Sequence, residues 1–322
     1  MNAAPPPRAH LVERAVEAMA GQGIAPAPPP PPPSPPPLAP QPRPAAAAPR
    51  PDARPEARPE ARPAASPEAR AEPAAPITVE MLGKAGLVVA PCGTQRSRLS
   101  EEIAVVQHSV LRTIKATRAA DGRCPRMVMV TSARPGEGKT FTALNLAASL
   151  ANSGTKPVVL VDVDGKRGSV SDLLGQADTP GLRTLAAEPG RPAPPLLVPT
   201  AVKRLSLLAA GPAQENTPGV PPGQLMAAAL LRLAAALPEH LIILDTPPCL
   251  STSDPGALAP IVGQVVVVVE AERTQRSEVE AALDMVDSCP TLQLVLNRAV
   301  LTANDTFGAY GGYGAYGAYP GQ

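Results

Sequence analysis

A doubly wound, mostly parallel α/β sheet is the fold class this sequence predicts, on three observations. Apolar runs of strand length recur at 127–131, 157–163, 241–244, 264–269 and 292–296, with helical periodicity between them. The runs are continuously apolar rather than alternating, as strands covered on both faces are. Several end in polar or glycine-rich turns, the end at which open parallel sheets hold ligands.

Composition sets the limits of the folded part. The chain has 322 residues, 45 of them Pro and 25 Gly, and the Pro is concentrated before residue 77. Residues 9–20 could form a short amphipathic docking helix, so 1–24 stands as a separate segment. Residues 25–98 read as a Pro/Ala-rich disordered linker, with a polyproline run and an Ala-Arg-Pro-Glu repeat that cannot build a core. A short apolar patch, Leu87-Val88-Val89, falls in its last part. Residues 99–301 have globular composition, enough for one α/β domain with a full core. A net charge of +1 gives no bulk electrostatic case for nucleic acid. Four scattered cysteines without a C-x-x-C pair suit a reducing cytoplasm better than a zinc site or disulfide framework. Without a signal-like leader or an apolar run of membrane length, a soluble protein is expected, reaching a membrane only through a partner.

The domain opens with a helix from Leu99 to about Ala119. Ser100 is its expected cap, and Glu101 and Glu102 lie in its first turn. The strand Met127–Thr131 then leads into Ser132-Ala133-Arg134-Pro135-Gly136-Glu137-Gly138-Lys139-Thr140. A helix follows, with Leu144, Ala147, Ala148 and Ala151 at helical spacing. Strand, glycine-rich loop and helix form the context of a phosphate-binding loop, which makes the fold P-loop NTPase-like. Gly136 and Gly138 let the backbone curl onto an anion. The amides of Gly136, Glu137, Gly138, Lys139, Thr140 and Phe141 are the expected phosphate cradle at the helix N-terminus. Lys139 supplies a full charge and the Thr140 hydroxyl a ligand for Mg²⁺. The first glycine of the motif is Ala133 here, a tolerable change because the Gly-x-Gly-Lys-Thr part carries the curl.

The run 157–164 ends in Asp162 and Asp164, expected to point to one side as i and i+2 of a strand. Residues 168–200 look helical and loop-like, broken at Pro180-Gly181. A short strand 205–208 and a helix 224–237 precede Leu241-Ile242-Ile243-Leu244-Asp245, a second apolar strand ending in acid. Asp245 is placed to hold Mg²⁺ directly or through water. Strand 264–270, a helix 277–288 with the capping pattern Ser277…Glu280, and strand 292–296 ending at Asn297 complete the sheet.

The tail, 302–322, repeats tyrosine every three residues: Tyr310, Tyr313, Tyr316 and Tyr319 are the only tyrosines in the chain. Glycine between them opposes a stable helix. Behind a Mg-ATP site, a run of accessible phenols looks like a substrate. Thirteen residues separate Asn297 from Tyr310, a reach of at most about 43 Å, so the tail can arrive at its own site or a neighbour's.

These motifs together resemble the bacterial tyrosine autokinases of exopolysaccharide export, and within them the exosortase-associated autokinases. The residues carrying the likeness are Ser132–Ala147, Asp162-Val163-Asp164, Leu244-Asp245-Thr246-Pro247-Pro248, Gly263–Glu270, Leu296-Asn297-Arg298 and the tyrosine tail. The resemblance implies an ATP-dependent P-loop kinase that phosphorylates its own C-terminal tyrosines. It implies Lys139 at the phosphates, Thr140 at Mg²⁺, Asp162 as base or nucleophile-orienting carboxylate, Asp164 and Asp245 around the metal, and Asn297 near the adenine. It further implies a membrane-embedded chain-length-determinant protein that activates the kinase from the inner membrane, a cognate tyrosine phosphatase, and a homo-oligomer. The family's E-x-x-R-x-x-R oligomerisation helix is not matched at Glu101 or Glu102: its basic seats hold Ala104 and Gln107, or Val105 and His108. The arginine after the second Asp would be Lys166 or Arg167, and Gly168 replaces a frequent Pro. Two alternatives compete with this reading. A non-kinase ATPase switch of the septum-positioning and partition type would carry lysine where Arg134 stands, and an ATP-binding regulatory scaffold would not need phosphotransfer.

Overall fold

Seven strands build one sheet in the computed structural model, which describes residues 76–89, 97–117, 122–154, 156–212 and 222–300. In chain order they are β1 (Cys124–Ser132), β2 (Val158–Asp162), β3 (Leu197–Pro199), β4 (Leu205–Leu208), β5 (Leu241–Asp245), β6 (Val262–Glu270) and β7 (Leu292–Asn297). Their spatial order is β3-β4-β2-β5-β1-β6-β7. Every neighbouring pair is parallel except β3 and β4, which are antiparallel. The sheet is therefore doubly wound and mostly parallel, as expected. The three-residue edge strand β3 lay hidden in a stretch expected to be helical and loop-like. Only three residues, one of them Pro199, are too few to show a strand period.

Alternate residues of each strand feed two cores. Val128 and Val130 of β1, Leu160 of β2 and Ile243 of β5 face α1 (Val79–Lys84), α2 (Arg98–Ala116) and α3 (Lys139–Ser153). Met127, Met129, Val161 and Leu244 face the other way. That side is covered by α5 (Leu182–Ala187), α6 (Pro222–Ala236), α7 (Asp254–Leu258) and α8 (Arg276–Met285), while the single turn α4 (Val170–Leu173) buries Val170 in the first core. Burial on both faces is why the strands read as unbroken apolar runs.

The structure moves three expected boundaries. The linker expected to run to 98 gives way to packed structure by Ile77, which bridges to Thr200. Ile77 and Leu82 are fully buried, and Val89 is nearly so. Asn145 on α3 fastens this segment: its Oδ1 accepts from the amides of Val88 (2.8 Å) and Val89 (3.3 Å), while Nδ2 donates to Gly86 O (3.0 Å). The cap of α2 is Ser97, not Ser100. Each serine's hydroxyl accepts the other's amide, at 3.1 and 2.9 Å, so two helix-end N–H groups are satisfied at once. In α8 the capping acid is Glu278, which accepts from Gln275 N at 2.9 Å, while Glu280 pairs with Arg276 one turn on. The expected docking helix at 9–20, the remaining linker and the tyrosine tail lie outside the described residues.

Candidate active site

β1 is the central strand of the site, and its C-terminal end carries the glycine-rich loop into α3. Gly136 (φ 88°) and Gly138 (φ 97°) are left-handed, the conformation that glycine adopts without strain. Ala133 is fully buried and has no positive φ, so the motif's first glycine is not needed there. Gly138 is required twice over, because a Cβ on it would run into the side chain of Asn297.

The loop is clamped from the β6–β7 side. Asn297, at the end of β7, donates Nδ2 to Glu137 O at 2.8 Å. The Glu137 side chain is buried and turns back into the protein: Oε2 accepts from Arg134 N at 2.8 Å, and Oε1 from the hydroxyl of Thr274. Arg134 forms an ion pair with Glu278 of α8 at 3.2 Å. The Phe141 ring lies against Gly86, where an added Cβ would come within 3.3 Å of it. Thr274 and Glu278 escaped the sequence reading. They stand more than 130 residues from the loop, and nothing in their local pattern marks them.

The carboxylates arrive from the other side. β2 and β5 pair so that Asp162 lies beside Asp245. Lys139 Nζ reaches Asp164 Oδ2 at 2.8 Å, Thr140 Oγ1 at 3.2 Å and Asp245 Oδ1 at 3.5 Å. Thr140 Oγ1 donates to Asp245 Oδ1 at 3.2 Å. Lys139, Thr140, Asp164 and Asp245 are thus brought into one cluster. Asp162 and Asp164 do not share a side of a strand, because β2 stops at Asp162. Asp162 is fully buried and committed to the following loop, accepting from Gly165 N (2.9 Å), Ser169 Oγ (2.6 Å) and Ser171 N (2.9 Å). Asp164 comes after that turn and is the carboxylate that meets Lys139.

Burial and charge oppose each other here. Desolvation favours neutral Lys139, but Asp245, Asp164 and the more distant Asp162 outweigh it and raise the amine's pKa. Burial pushes the Asp245 carboxyl up to about 7 despite Lys139, with Asp162 and Asp164 adding to the rise. Two oxygens of the cluster, Asp164 Oδ1 and Asp245 Oδ2, are buried without a hydrogen bond. The nearest cation to Asp164 Oδ1 is Lys166 Nζ, at 3.7 Å. Buried acceptors rarely go unpaired. Two such oxygens beside a threonine hydroxyl form a hard-oxygen donor set that fits Mg²⁺, which is held by one or two carboxylates together with substrate phosphates. Tyr310, Tyr313, Tyr316 and Tyr319 lie outside the described residues. β7 runs parallel to β6, so the chain leaves Asn297 at the same end of the sheet as the loop.

Comparison with known proteins agrees with this geometry. A family model described as "ParA: NUBPL iron-transfer P-loop NTPase" matches residues 123–314. The tyrosine-protein kinase YwqD of Bacillus subtilis is 28% identical over 209 residues, covering 63% of this chain and 85% of that protein. CpsD of Streptococcus agalactiae, also named a tyrosine-protein kinase, is 29% identical over 193 residues, covering 59% and 82%. The tyrosine-protein kinase wzc of Salmonella typhimurium is 31% identical over 163 residues, half of this chain but only 22% of that protein. Among solved structures, the VpsO kinase domain shares 25% identity at a TM-score of 0.51, covering 62% of this chain and 94% of that one. The kinase domain of the Escherichia coli tyrosine kinase ETK shares the fold at 23% identity and a TM-score of 0.50, covering 63% and 78%. The resemblance to bacterial tyrosine kinases drawn from the motifs is borne out by these relatives.

Proposed function

This chain belongs to the ParA family of P-loop NTPases, and on that premise we propose that it is an ATP-dependent protein-tyrosine kinase whose acceptors are Tyr310, Tyr313, Tyr316 and Tyr319 of its own tail. The observation that carries the reading is the cluster of Lys139, Thr140, Asp164 and Asp245, with two unpartnered carboxylate oxygens, under a loop shaped for phosphate. The relatives named tyrosine-protein kinases favour a kinase over an ATPase switch. Arg134 points the same way, because the ATPase-switch reading calls for lysine at that position.

Each residue then has a task. The amides from Gly136 to Phe141 cradle the phosphates, and Lys139 exchanges its carboxylate contacts for the β- and γ-phosphates. Thr140, Asp164 and Asp245 hold Mg²⁺, which when bound neutralises charge on the transferring phosphate. Asp162 fixes the turn that presents Asp164. With Oδ1 of Asp164 offered to Mg²⁺, Oδ2, released by Lys139, is the oxygen at which an acceptor phenol would be oriented and give up its proton. Catalysis of this kind is positioning and charge stabilisation, so loss of Lys139 should lower phosphotransfer by at least ~10²-fold. Asn297 lies against the loop backbone, on the side where the adenine would be held. The polysaccharide-export setting, the membrane-embedded chain-length-determinant partner, a phosphatase that resets the tail and assembly with further copies all belong to the same proposal. No helix among the described residues is long and apolar enough to cross a membrane, which suits a partner-mediated location at the inner membrane.

The test is incubation of the purified protein with Mg-ATP, with and without the candidate partner, followed by mass-spectrometric mapping of phosphosites. Phosphate on the tail, absent from Lys139→Met and from a chain lacking 308–322, is the expected result. ATP hydrolysis without phosphotyrosine under either condition would replace this reading with the ATPase switch.

A further inference from the structure

Beside the catalytic cluster lies a cleft of about 280 Å³ that the reaction does not use. It begins at Gly165 and Lys166, the two residues after Asp164, and extends to Arg167, Ser171, Arg183 and Gly211. Its size is at the lower end of ligand pockets, suited to one small group rather than a nucleotide.

The cleft is built around Arg183. The half-buried guanidinium donates from Nη1 to Gly211 O at 2.8 Å and from Nη2 to Gly165 O at 3.4 Å. Two of its five N–H groups are thereby used and the plane is fixed, leaving the rest of the fork to a ligand. No carboxylate lies within ion-pair distance of Arg183 among the described residues, where most other cations of the site have one. Ser171 Oγ accepts from Ala210 N at 3.0 Å, which leaves its own proton to donate. Two carboxylates stand on the walls. Asp172 is tied to Gly168 N at 2.7 Å, and Asp178 lies at the rim; Asp254 is a further negative group that Lys166 and Arg183 both influence. Lys166 is shared with Asp164 Oδ1 at 3.7 Å, but Arg167 and Arg183 have no carboxylate within ion-pair distance among the described residues, and the fixed guanidinium of Arg183 selects a compact anion with several acceptor oxygens.

We propose that this cleft is a phosphotyrosine site, and that it holds one phosphorylated tyrosine of the tail while a neighbouring tyrosine is presented at Asp164. The proposal rests on the kinase reading above. Its independent support is spacing and charge. Tyrosines three residues apart in an extended chain are separated by about 10 Å. The cleft starts at the residue after Asp164, and Lys166 spans the two places, with Nζ 3.7 Å from Asp164 Oδ1. From Phe307 to Gln322 the tail carries no charged side chain, so an unmodified tyrosine brings these cations no anion. Each phosphate adds about −1.5 to −2 charges and three acceptor oxygens. The site therefore discriminates a modified tail from an unmodified one, and the first phosphate speeds the next.

The test uses fluorescent peptides of residues 306–322, with and without phosphate on Tyr316. They are titrated into full-length Lys139→Met protein, which cannot modify them. The phosphopeptide should bind at least ~10-fold tighter than the plain one, as a bidentate charge-assisted contact allows. Arg183→Gln and the surface change Arg167→Gln should each remove most of that preference, with the circular dichroism spectrum unchanged. Free phosphotyrosine should compete, and inorganic phosphate only weakly. Equal binding of the two peptides, insensitivity to both arginine changes, or inorganic phosphate binding as tightly as the peptide would each overturn the proposal. A protein that never phosphorylates its tail yet prefers the phosphopeptide would sink the kinase reading and leave the cleft standing. A tail kinase with no such preference would do the reverse.

Discussion

Replacing Asp245 by Asn should make stability insensitive to pH where the native protein loses it. Asp245 is fully buried, its Oδ1 shared by Thr140 and Lys139 and its Oδ2 without a partner. Burial raises the carboxyl from an ordinary 3.8 to about 7. The unfolded chain ionises this group near 3.8, so between the two values the folded state keeps a proton that the unfolded state has released. Stability contributed in this way is complete below 3.8 and is lost as pH rises through 7. Integrated from pH 5 to pH 8, the loss from this one group is about 2–3 kcal/mol. That corresponds to roughly 1 M in a urea midpoint for a domain of this size. Asn cannot ionise, so the Asp245→Asn protein should lack this component, and packing changes common to both pH values cancel in the comparison. The chain has no Trp and all four Tyr lie in the tail, so unfolding should be followed by far-UV circular dichroism rather than intrinsic fluorescence. Parallel pH profiles for the two proteins, within about 0.5 kcal/mol, would refute the reasoning: Lys139 would then be holding Asp245 ionised throughout.

Four other changes test the scaffold around the site. Asn145→Ala strips partners from two amides and two carbonyls at the join of α3 and the 86–89 segment, and should cost about 3 kcal/mol; urea unfolding and faster proteolysis within 76–89 would show it. Thr274→Val removes the donor to the buried Glu137 carboxylate and should weaken ADP binding about 10-fold by calorimetry, the scale of a charge-assisted hydrogen bond. Breaking the half-exposed Arg134 pair with Glu278→Ala should change binding by less than about 1 kcal/mol. Gly263→Ala places a Cβ 2.6 Å from Pro125 Cα in the neighbouring strand, so β6 must shift; a loss of about 3 kcal/mol is expected in the same unfolding assay, against a negligible one for Gly190→Ala, whose Cβ meets open space.

How far the sequence could be read follows from how local each signal was. The parallel strands were legible because burial on both faces writes continuous apolar runs, and the phosphate loop because its glycines and Lys-Thr are consecutive. Caps were harder. Ser97 and Ser100 are both good cap residues, and only the reciprocal bonds decide which one ends the helix. The 77–89 segment reads as linker because one short apolar patch, Leu87-Val88-Val89, in a Pro/Ala-rich region looks weak by itself. The segment is held by Asn145 and Thr200, which are distant in sequence. The pairing of Asp162 with Asp164 failed for a related reason. Residue spacing assumes that a strand continues, and here Asp162 closes a turn with Gly165, Ser169 and Ser171.

On the proposed reading, the two sides of β1 divide the work on the nucleotide. From the β6–β7 side come Thr274 and Asn297, which bond to Glu137 and fix the loop without offering the ligand a carboxylate. From the β2–β5 side come Asp164 and Asp245, whose free oxygens call for a cation. A change in the clamp should therefore weaken nucleotide binding equally with and without Mg²⁺. A change in the carboxylates should act mainly when Mg²⁺ is present. Measuring ADP affinity of Thr274→Val and Asp245→Asn in Mg²⁺ and in EDTA separates the two. If Asp245→Asn lost the same factor in EDTA as in Mg²⁺, Asp245 would be acting by holding Lys139 and Thr140 in place rather than by binding metal, and its unpaired oxygen would need another explanation.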